Sequence, residues 1–366
     1  TEVGYGRAHE TKKHGVYNVI IEYKEEEFAI HCLRAAHALL VAAIEGSQFD
    51  VEQTIETLRE KLLLEQLGPS TRSIVEAARR RDIPVRRLSE GSLVRLGIGS
   101  KQRRIIAAET DQTSAVSEAI AQDKELTRDL LEEAGIPIAK GKPVFSAEEA
   151  WEVATEIGLP VVIKPRCGNQ GRGVSVGLTT QDEVSQAYSV AISEEEEVVV
   201  ERCLAGDDYR LLVVGEELIA AARRCAPCIR GDGISTIETL VQKENRNPRR
   251  CDDHAGSLSL LCLDAAAEVA LREQGFSKES IPNDGQLVLL RRNANLSTGG
   301  TAEDVTDLVH PDTIRLAIDA VRVVGLDIAG VDIMATRIDQ PLSIQHGGVV
   351  EINACPGLRM HLEPTV

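Results

Sequence analysis

Apolar and polar residues alternate from Tyr17 through Asn18, Val19, Ile20, Ile21 and Glu22 to Tyr23, a period-two pattern that predicts a strand, and the apolar stretch from Phe28 to Glu45 predicts a helix. A second helix is expected from about Val51 to Gln66, closed by Leu67, Gly68 and Pro69, with Ser70 or Thr71 capping the helix that follows. Around Gly97 to Ser100 the pattern changes, and from there strands and helices alternate. Ser146 with Glu149 reads as a capping box opening a helix that carries Trp151 and Ile157 and stops at Gly158 and Pro160. Val161 to Pro165 and Val174 to Leu178 read as strands, and Thr180 with Glu183 opens another helix. Near the end, residues 327–333 and 349–353 read as two strands joined by a turn region with Pro341, Gly347 and Gly348. Alternation along the second puts Glu351 and Asn353 on one face and Val350 and Ile352 on the other. The expected architecture is α/β, of the α+β kind: a small α/β domain over 1–96, then a larger domain over 97–366 with a mobile lid at about 161–200.

Composition narrows the class. The chain has 366 residues, 43% hydrophobic and 27% charged, which describes a globular protein with a real core. No apolar run approaches the roughly 18 to 20 residues that cross a bilayer, and the first residues lack a signal-peptide pattern, so a cytoplasmic protein without a membrane partner is expected. The missing initiator Met and the abrupt end suggest part of a longer polypeptide. A net charge of −17 argues against nucleic acid as a partner, since phosphate must be met by a basic surface. The exception is local: from Arg72 to Arg104 ten basic residues face three acids, a stretch of +7 that is either a solvated face or a docking patch for an anionic or mixed-charge ligand. The eight cysteines do not form a disulfide framework in a chain of this size, and Cys225 and Cys228 lack the further ligands that a zinc site needs.

The candidate chemistry lies in three places. Gly168-Asn169-Gln170-Gly171-Arg172-Gly173 joins two strands rather than a strand and a helix, so it can fold over a nucleotide as a flap whose N–H groups face phosphate oxygens, with Lys164 adding a point charge. The apolar strand Glu197 to Val200 runs into a hinge, Glu201-Arg202-Cys203-Leu204, that can offer backbone groups to an adenine edge, followed by Asp207 and Asp208 for ribose hydroxyls. Asp332, Glu351 and Asn353 project oxygen ligands from adjacent strands, as Mg2+ requires. An acid set between Val331 and Ile333 is costly to bury unless it is paired or metal-bound.

Lys124, Lys164 with its glycine loop, Glu201, and the trio Asp332, Glu351 and Asn353 occur in the order and spacing of ATP-grasp ligases. More narrowly, the sequence resembles the cyanophycin synthetase family in Gly231-Asp232-Gly233, Asp252-Asp253-His254, Asn295 through Ser297 to Thr301, Gly325 to Asp332, and Glu351 to His361. The resemblance runs through nearly the whole chain. It implies an ATP-grasp fold that phosphorylates the C-terminal carboxylate of a cyanophycin primer, which free L-aspartate then attacks. The arginine-adding, Mur-ligase-like domain of the family is absent from these residues.

Position by position, the resemblance assigns Lys124, Lys164, Gly168, Asn169, Gln170, Gly171 and Gly173 to the phosphates of ATP. It assigns Glu201, Arg202, Cys203 and Leu204 to adenine, with Asp208 beside the ribose. Arg210, His254 and Arg292 would hold carboxylates and the transferring phosphoryl group, and Asn295 and Ser297 would orient the acceptor. Asp332, Glu351 and Asn353 would bind two Mg2+, and a homo-oligomer is implied. One departure stands out: Leu258-Ser259-Leu260-Leu261 replaces the family's Leu-Thr-Lys-Ile, putting leucine where a lysine is usual. Two other readings stay open, a glutathione-type ligase for another amino acid or peptide, and a nucleotide-binding module without turnover.

Overall fold

Period-two alternation at Tyr17–Ile21 does produce a strand, and it forms an antiparallel hairpin with Gly6–Glu10. The helices follow as Glu26–Glu45 and Val51–Glu65, and they pack on each other. The computed structural model describes residues 5–23, 26–65, 67–89, 91–166, 173–251, 258–291 and 293–364. It divides into two compact units, Thr1–Gly68 with Ser89–Ser92, and Pro69–Leu88 with Leu93–Val366. Contrary to the expectation from sequence, one helix among the described residues, Glu26–Glu45, is long and apolar enough to cross a bilayer by length and composition. His31, Arg34 and His37 interrupt its apolar positions.

The larger unit opens with the helix Pro69–Arg79, so Ser70 and Thr71 lie inside its first turn instead of capping it. Pro69 explains the shift, because proline suits the first helical position, where its missing N–H costs nothing. Both hydroxyls still work: Ser70 Oγ accepts from the Leu358 N–H at 3.0 Å and Thr71 Oγ1 donates to the Ala107 carbonyl at 3.1 Å. Beyond this helix lies an antiparallel sheet, Val85–Arg87, Leu93–Leu96, Arg103–Ile106 and Glu109–Thr110. Its register sets Arg86 opposite Arg95 and Arg95 opposite Arg104, three arginines in one cross-strand row.

Two larger sheets follow, beside two short two-stranded ones, Cys228–Arg230 with Leu287–Leu289 and Arg250–Cys251 with Leu258–Ser259. The sheet that contains the expected lid residues 161–200, called the lid sheet below, runs Gly141–Val144, Val198–Arg202, Val161–Pro165, Ser175–Leu178, all antiparallel. Helices Ala147–Ile157 and Gln181–Glu194 cover one face of it, burying Val153, Ala154, Val184 and Ala187 against Ile163 and Val200. Thr180 and Glu183 form the expected capping box. At the other helix Ser146 caps Glu149, but the Glu149 carboxylate accepts from the Phe145 N–H instead of closing the box on Ser146. The central sheet runs Thr301–Asp304, Glu217–Cys225, Asp207–Val214, Ile328–Ala335, Gly348–Ala354, again antiparallel throughout. One face buries Leu211, Val213, Ala221, Val331 and Ile333 with Ala317, Ala320, Val321 and Val324 of the helix Pro311–Val324. That leaves the other face for polar side chains.

The last strand departs from simple alternation. A register shift between Asp332 and Ile333 places Ile333 opposite Val349 and Asp332 opposite Glu351, making Val350 the extra residue of a β-bulge. Val349 is 2% and Ile352 1% exposed, whereas Val350 is 48% exposed. The expectation that Val350 shares the core face is therefore corrected.

Candidate active site

Register assembles the site. On the polar face of the central sheet Asp304, Ala222, Arg210, Asp332 and Glu351 stand side by side, one from each of the five strands. At about 4.8 Å between strands this row spans roughly 19 Å. Asn353 faces Gly330 one step along, and on the opposite side Ala302, Arg224, Asp208 and Met334 make the neighbouring row.

Asp332 is the buried centre of the row, 4% exposed. Arg210 grips both of its oxygens, with Nη2 to Oδ2 at 2.9 Å and Nε to Oδ1. Arg224 reaches the same Oδ2 at 3.1 Å and Asp208 Oδ1 at 2.6 Å. An acid this deep costs several kcal/mol unless paired, and here two guanidinium groups meet its charge before any metal does. Burial pushes the Asp208 carboxyl up, opposed by Arg224. Burial pulls Arg224 down, yet Asp332 and Asp208 outweigh it and leave the guanidinium raised. Sequence reading passed over Arg224, although its parity with Ala220 and Ala222 in the strand Glu217–Cys225 placed it on this face. Room for Arg210 comes from Gly330: a Cβ there would stand 2.9 Å from Arg210 Cδ and 3.0 Å from its Nη1.

A pocket opens where the lid sheet meets the Glu351 end of the row, lined among others by Lys124, Arg128, Lys164, Glu201, Val350 and Glu351. Four cations and three carboxylates among the described residues line it, with Arg166 paired to Glu125 and Arg128 3.6 Å from Glu125. Lys164 Nζ lies 2.7 Å from Glu201, Arg128 lies 4.0 Å from it, and Lys124 lies 3.3 Å from Glu351. Gly141 sits opposite Glu201 and leaves space for its side chain, since a Cβ at 141 would stand 2.5 Å from Glu201 Cγ. The bulge turns Val350 into this pocket as an apolar platform. Asp332, Glu351 and Asn353 share a face and offer only oxygen donors, which suits Mg2+. The buried Asn353 Nδ2 has no partner among the described residues, and no group of three His, Cys, Asp or Glu side chains among them could hold a metal. Two carboxylates and one amide oxygen, with phosphate and water completing the shell, are the kind of ligand set that Mg2+ takes from a protein.

The hinge differs in detail from expectation. The Arg202 N–H donates to the Lys140 carbonyl at 2.8 Å and the Cys203 N–H to the Pro160 carbonyl at 2.9 Å, so the Cys203 N–H is already engaged. Arg202 and Leu204 line a second hollow with Pro137, Lys140 and His346. Gly206, at φ +123°, closes the turn against Ala335, where a Cβ would fall 2.2 Å from the carbonyl carbon.

Asn295, expected to orient the acceptor, precedes the short turn Leu296–Thr298, which exposes Ser297. Leu296 packs with Ala222, Ala302 and Met360, which holds this turn against the polar face. Arg250 pins its far end through the Gly299 carbonyl at 3.3 Å. Leu258 and Leu261 are buried and Leu260 is half-buried. Burial raises the thiols of Cys225 and Cys228, as suits unreactive cysteines. Gly173 is described, at φ +68°. The expected site residues Gly168, Asn169, Gln170, Gly171, His254 and Arg292 lie outside the described residues.

Three family models match: the carbamoyl-phosphate synthase L chain ATP binding domain over residues 123–210, the cyanophycin synthase-like N-terminal domain over 1–45, and the RimK-like ATP-grasp domain over 283–365. The chain is 38% identical to the cyanophycin synthetase of Geminocystis herdmanii over 99% of its own length and 42% of that protein's. It is 39% identical to the Trichormus variabilis enzyme over 99% of its length and 41% of the relative. Over nearly its whole length the chain is similar to the cyanophycin synthetases. It spans about two-fifths of the length of these relatives. A bifunctional glutathione synthetase from Pasteurella multocida superposes with a TM-score of 0.63 at 28% identity, covering 85% of this chain and 44% of that one. The fold is therefore ATP-grasp, and the sheet from Gly141 to Arg202 lies within the residues matched by the ATP binding domain.

Proposed function

We propose that this chain is a Mg-ATP-dependent carboxylate–amine ligase that adds L-aspartate to the C-terminal carboxylate of a cyanophycin primer through an acyl phosphate. The observation that carries the reading is the cross-strand row from Glu351 through Asp332 to Arg210, which begins at the nucleotide pocket and ends in a fixed guanidinium. Lys124 and Lys164 would exchange their carboxylate partners for phosphate oxygens, and Val350 would support the adenine. Glu351, Asn353 and Asp332 would hold Mg2+, which when bound offsets phosphate charge. Arg210 and Arg224 would face the charge that builds up on the transferring phosphoryl group, where fixed cations act without reorganising. Asn295 and Ser297 would hold the acceptor.

The aspartate and primer assignments come from the curated relatives. The row at Arg86, Arg95 and Arg104 supports docking of a carboxylate-rich chain, because like charges directly opposite one another destabilise a sheet unless something compensates them, and of the three Arg104 already meets Asp111 at 3.4 Å. The expected location is the cytoplasm, and Arg34 near the middle of the helix Glu26–Glu45 speaks against that helix spanning a bilayer.

The test is phosphate release from Mg-ATP with aspartate and an Asp-Arg primer, run beside Glu351→Gln and against a panel of other amino acids and peptides. Release that depends on both aspartate and primer, and that Glu351→Gln abolishes, supports the reading. Release with a glutathione-type acceptor instead moves the substrate assignment. ATP binding without release under any pairing makes the chain a nucleotide-binding module.

A further inference from the structure

The strand Val198–Arg202 has two sides, and the nucleotide pocket uses one of them. Glu201 lines that pocket, while the next residue, Arg202, lines a hollow of about 340 Å3 behind the hinge. The floor of the hollow is apolar: Ile136 and Leu342 are buried, with Pro137 and Leu204 half-buried beside them. A thin wall separates the two cavities. Ile138 lines both, and its segment is fixed by the Val349 N–H donating to the Pro137 carbonyl and the Arg202 N–H to the Lys140 carbonyl, each at 2.8 Å.

The rim is charged. Lys140, Arg202 and His346 are exposed there, and none of their side chains has a hydrogen bond or ion pair among the described residues. Glu132 is the one acid among the described lining residues. The chain as a whole carries a net charge of −17, and Lys124, Lys164, Arg210 and Arg224 each meet a carboxylate, so cations left open around one hollow are set apart from those of the site described above. His346 adds a conformational signal. It ends the short helix Leu342–Gln345 in the left-handed region, at φ +55°, where glycine or asparagine is usual. Gln345 holds the turn by donating to the carbonyls of Arg337 at 2.7 Å and Gln340 at 3.0 Å. A histidine kept in a disfavoured conformation on the rim of a cavity points to a role in what the cavity holds.

We propose that this hollow is a second ligand site, separate from the nucleotide pocket, for a small organic anion with an apolar body, and that its occupation alters nucleotide affinity. Its volume and its apolar floor with a few polar groups are those of a small-molecule site. The body lies on Ile136, Pro137, Leu204 and Leu342, and a carboxylate or phosphate head takes charge-assisted hydrogen bonds from Lys140 and Arg202. The coupling follows from the shared wall and from Arg202 standing directly after Glu201 in the hinge. The coupling rests on the nucleotide pocket assigned above; the site itself does not.

Phenylacetate serves as the probe, with acetate as its counterpart lacking the apolar body. The ring resonances of His346, identified by their loss in His346→Gln, are followed by NMR as each is added to the full chain. Phenylacetate should shift them saturably, Lys140→Glu should weaken its binding about tenfold, and acetate should bind at least about tenfold more weakly. No saturable shift, or equal affinity in Lys140→Glu, overturns the site, and equal binding of acetate overturns the ligand class. The titration is then repeated at rising Mg-ADP. An apparent Kd for phenylacetate that changes and then levels off supports a separate, coupled site. A Kd that climbs in proportion to ADP places the probe in the nucleotide pocket and overturns the proposal, and a constant Kd overturns the coupling. Failure of ADP itself to bind, read by calorimetry, counts instead against the nucleotide pocket.

Discussion

Gly330 and Arg210 fit together as a missing side chain and the guanidinium that fills its place, a Cβ at 330 coming within 2.9 Å of Arg210 Cδ and 3.0 Å of Pro356 Cβ. Arg210 cannot yield cheaply, because both Asp332 oxygens hold it in a buried site. Gly330→Ala should therefore dislodge the pair and lower ATP-dependent phosphate release at least 100-fold, the scale on which loss of one preorganised charge contact is felt. Gly68→Ala, which meets nothing within 4 Å, is the control and should leave release unchanged.

Lys124 and Glu351 neutralise one another at 3.3 Å. On the proposed reading nucleotide binding would part them, phosphate taking the Lys124 ammonium and the Glu351 carboxylate being one of the groups that would hold Mg2+. Glu351→Gln removes this pairing and one of the two carboxylates proposed to hold the ion. Titration calorimetry with and without Mg2+ should show ATP binding by the wild type strengthened strongly by the ion and binding by the variant strengthened at least tenfold less. Equal Mg2+ dependence in both proteins would remove Glu351 from the metal set.

Much of this site was legible in the sequence because register is local. Once residues 327–333 and 349–353 are strands, the parity of Asp332, Glu351 and Asn353 follows. Arg210 and Arg224 were harder. Their importance depends on which strands the fold places beside Asp332, and those strands lie more than a hundred residues upstream. The bulge at Val350 was hidden for another reason, since nothing in Gly-Gly-Val-Val-Glu-Ile distinguishes an extra residue from regular alternation. Ser70 and Thr71 were misplaced because Pro69 at the first helical position moves the start of the helix back.

That bulge separates two apolar neighbours by function. Ile352 is 1% exposed in the main core, and Ile352→Ala should cost about 2 to 5 kcal/mol in urea unfolding. Val350→Ala removes a platform from the pocket and little from the core, so ATP affinity should fall several-fold with unfolding nearly unchanged. A loss of stability at Val350 matching that at Ile352 would contradict the bulge.

The row of Arg86, Arg95 and Arg104 carries a built-in conflict, and the buried Arg95 Nε has no partner among the described residues. Arg95→Ala should relieve repulsion of about 0.2 to 1 kcal/mol and leave the melting temperature equal or higher. Affinity for an Asp-Arg primer should drop about tenfold in a binding assay at low salt, and ATP affinity should hold. Unaltered primer affinity would make the row a solvated face.

His361 links stability to pH. Its ordinary value is 6.5, and burial brings it to about 4 in the folded chain. Between those limits the unfolded chain binds a proton that the folded one refuses, so stability rises with pH across this window. Below about pH 4 both states are protonated and the full penalty, roughly 3 kcal/mol, has been incurred. Above 6.5 neither carries the proton and the penalty is gone. Urea unfolding followed from pH 7 to pH 4 should show this loss in the wild type, with a shallower slope in His361→Asn.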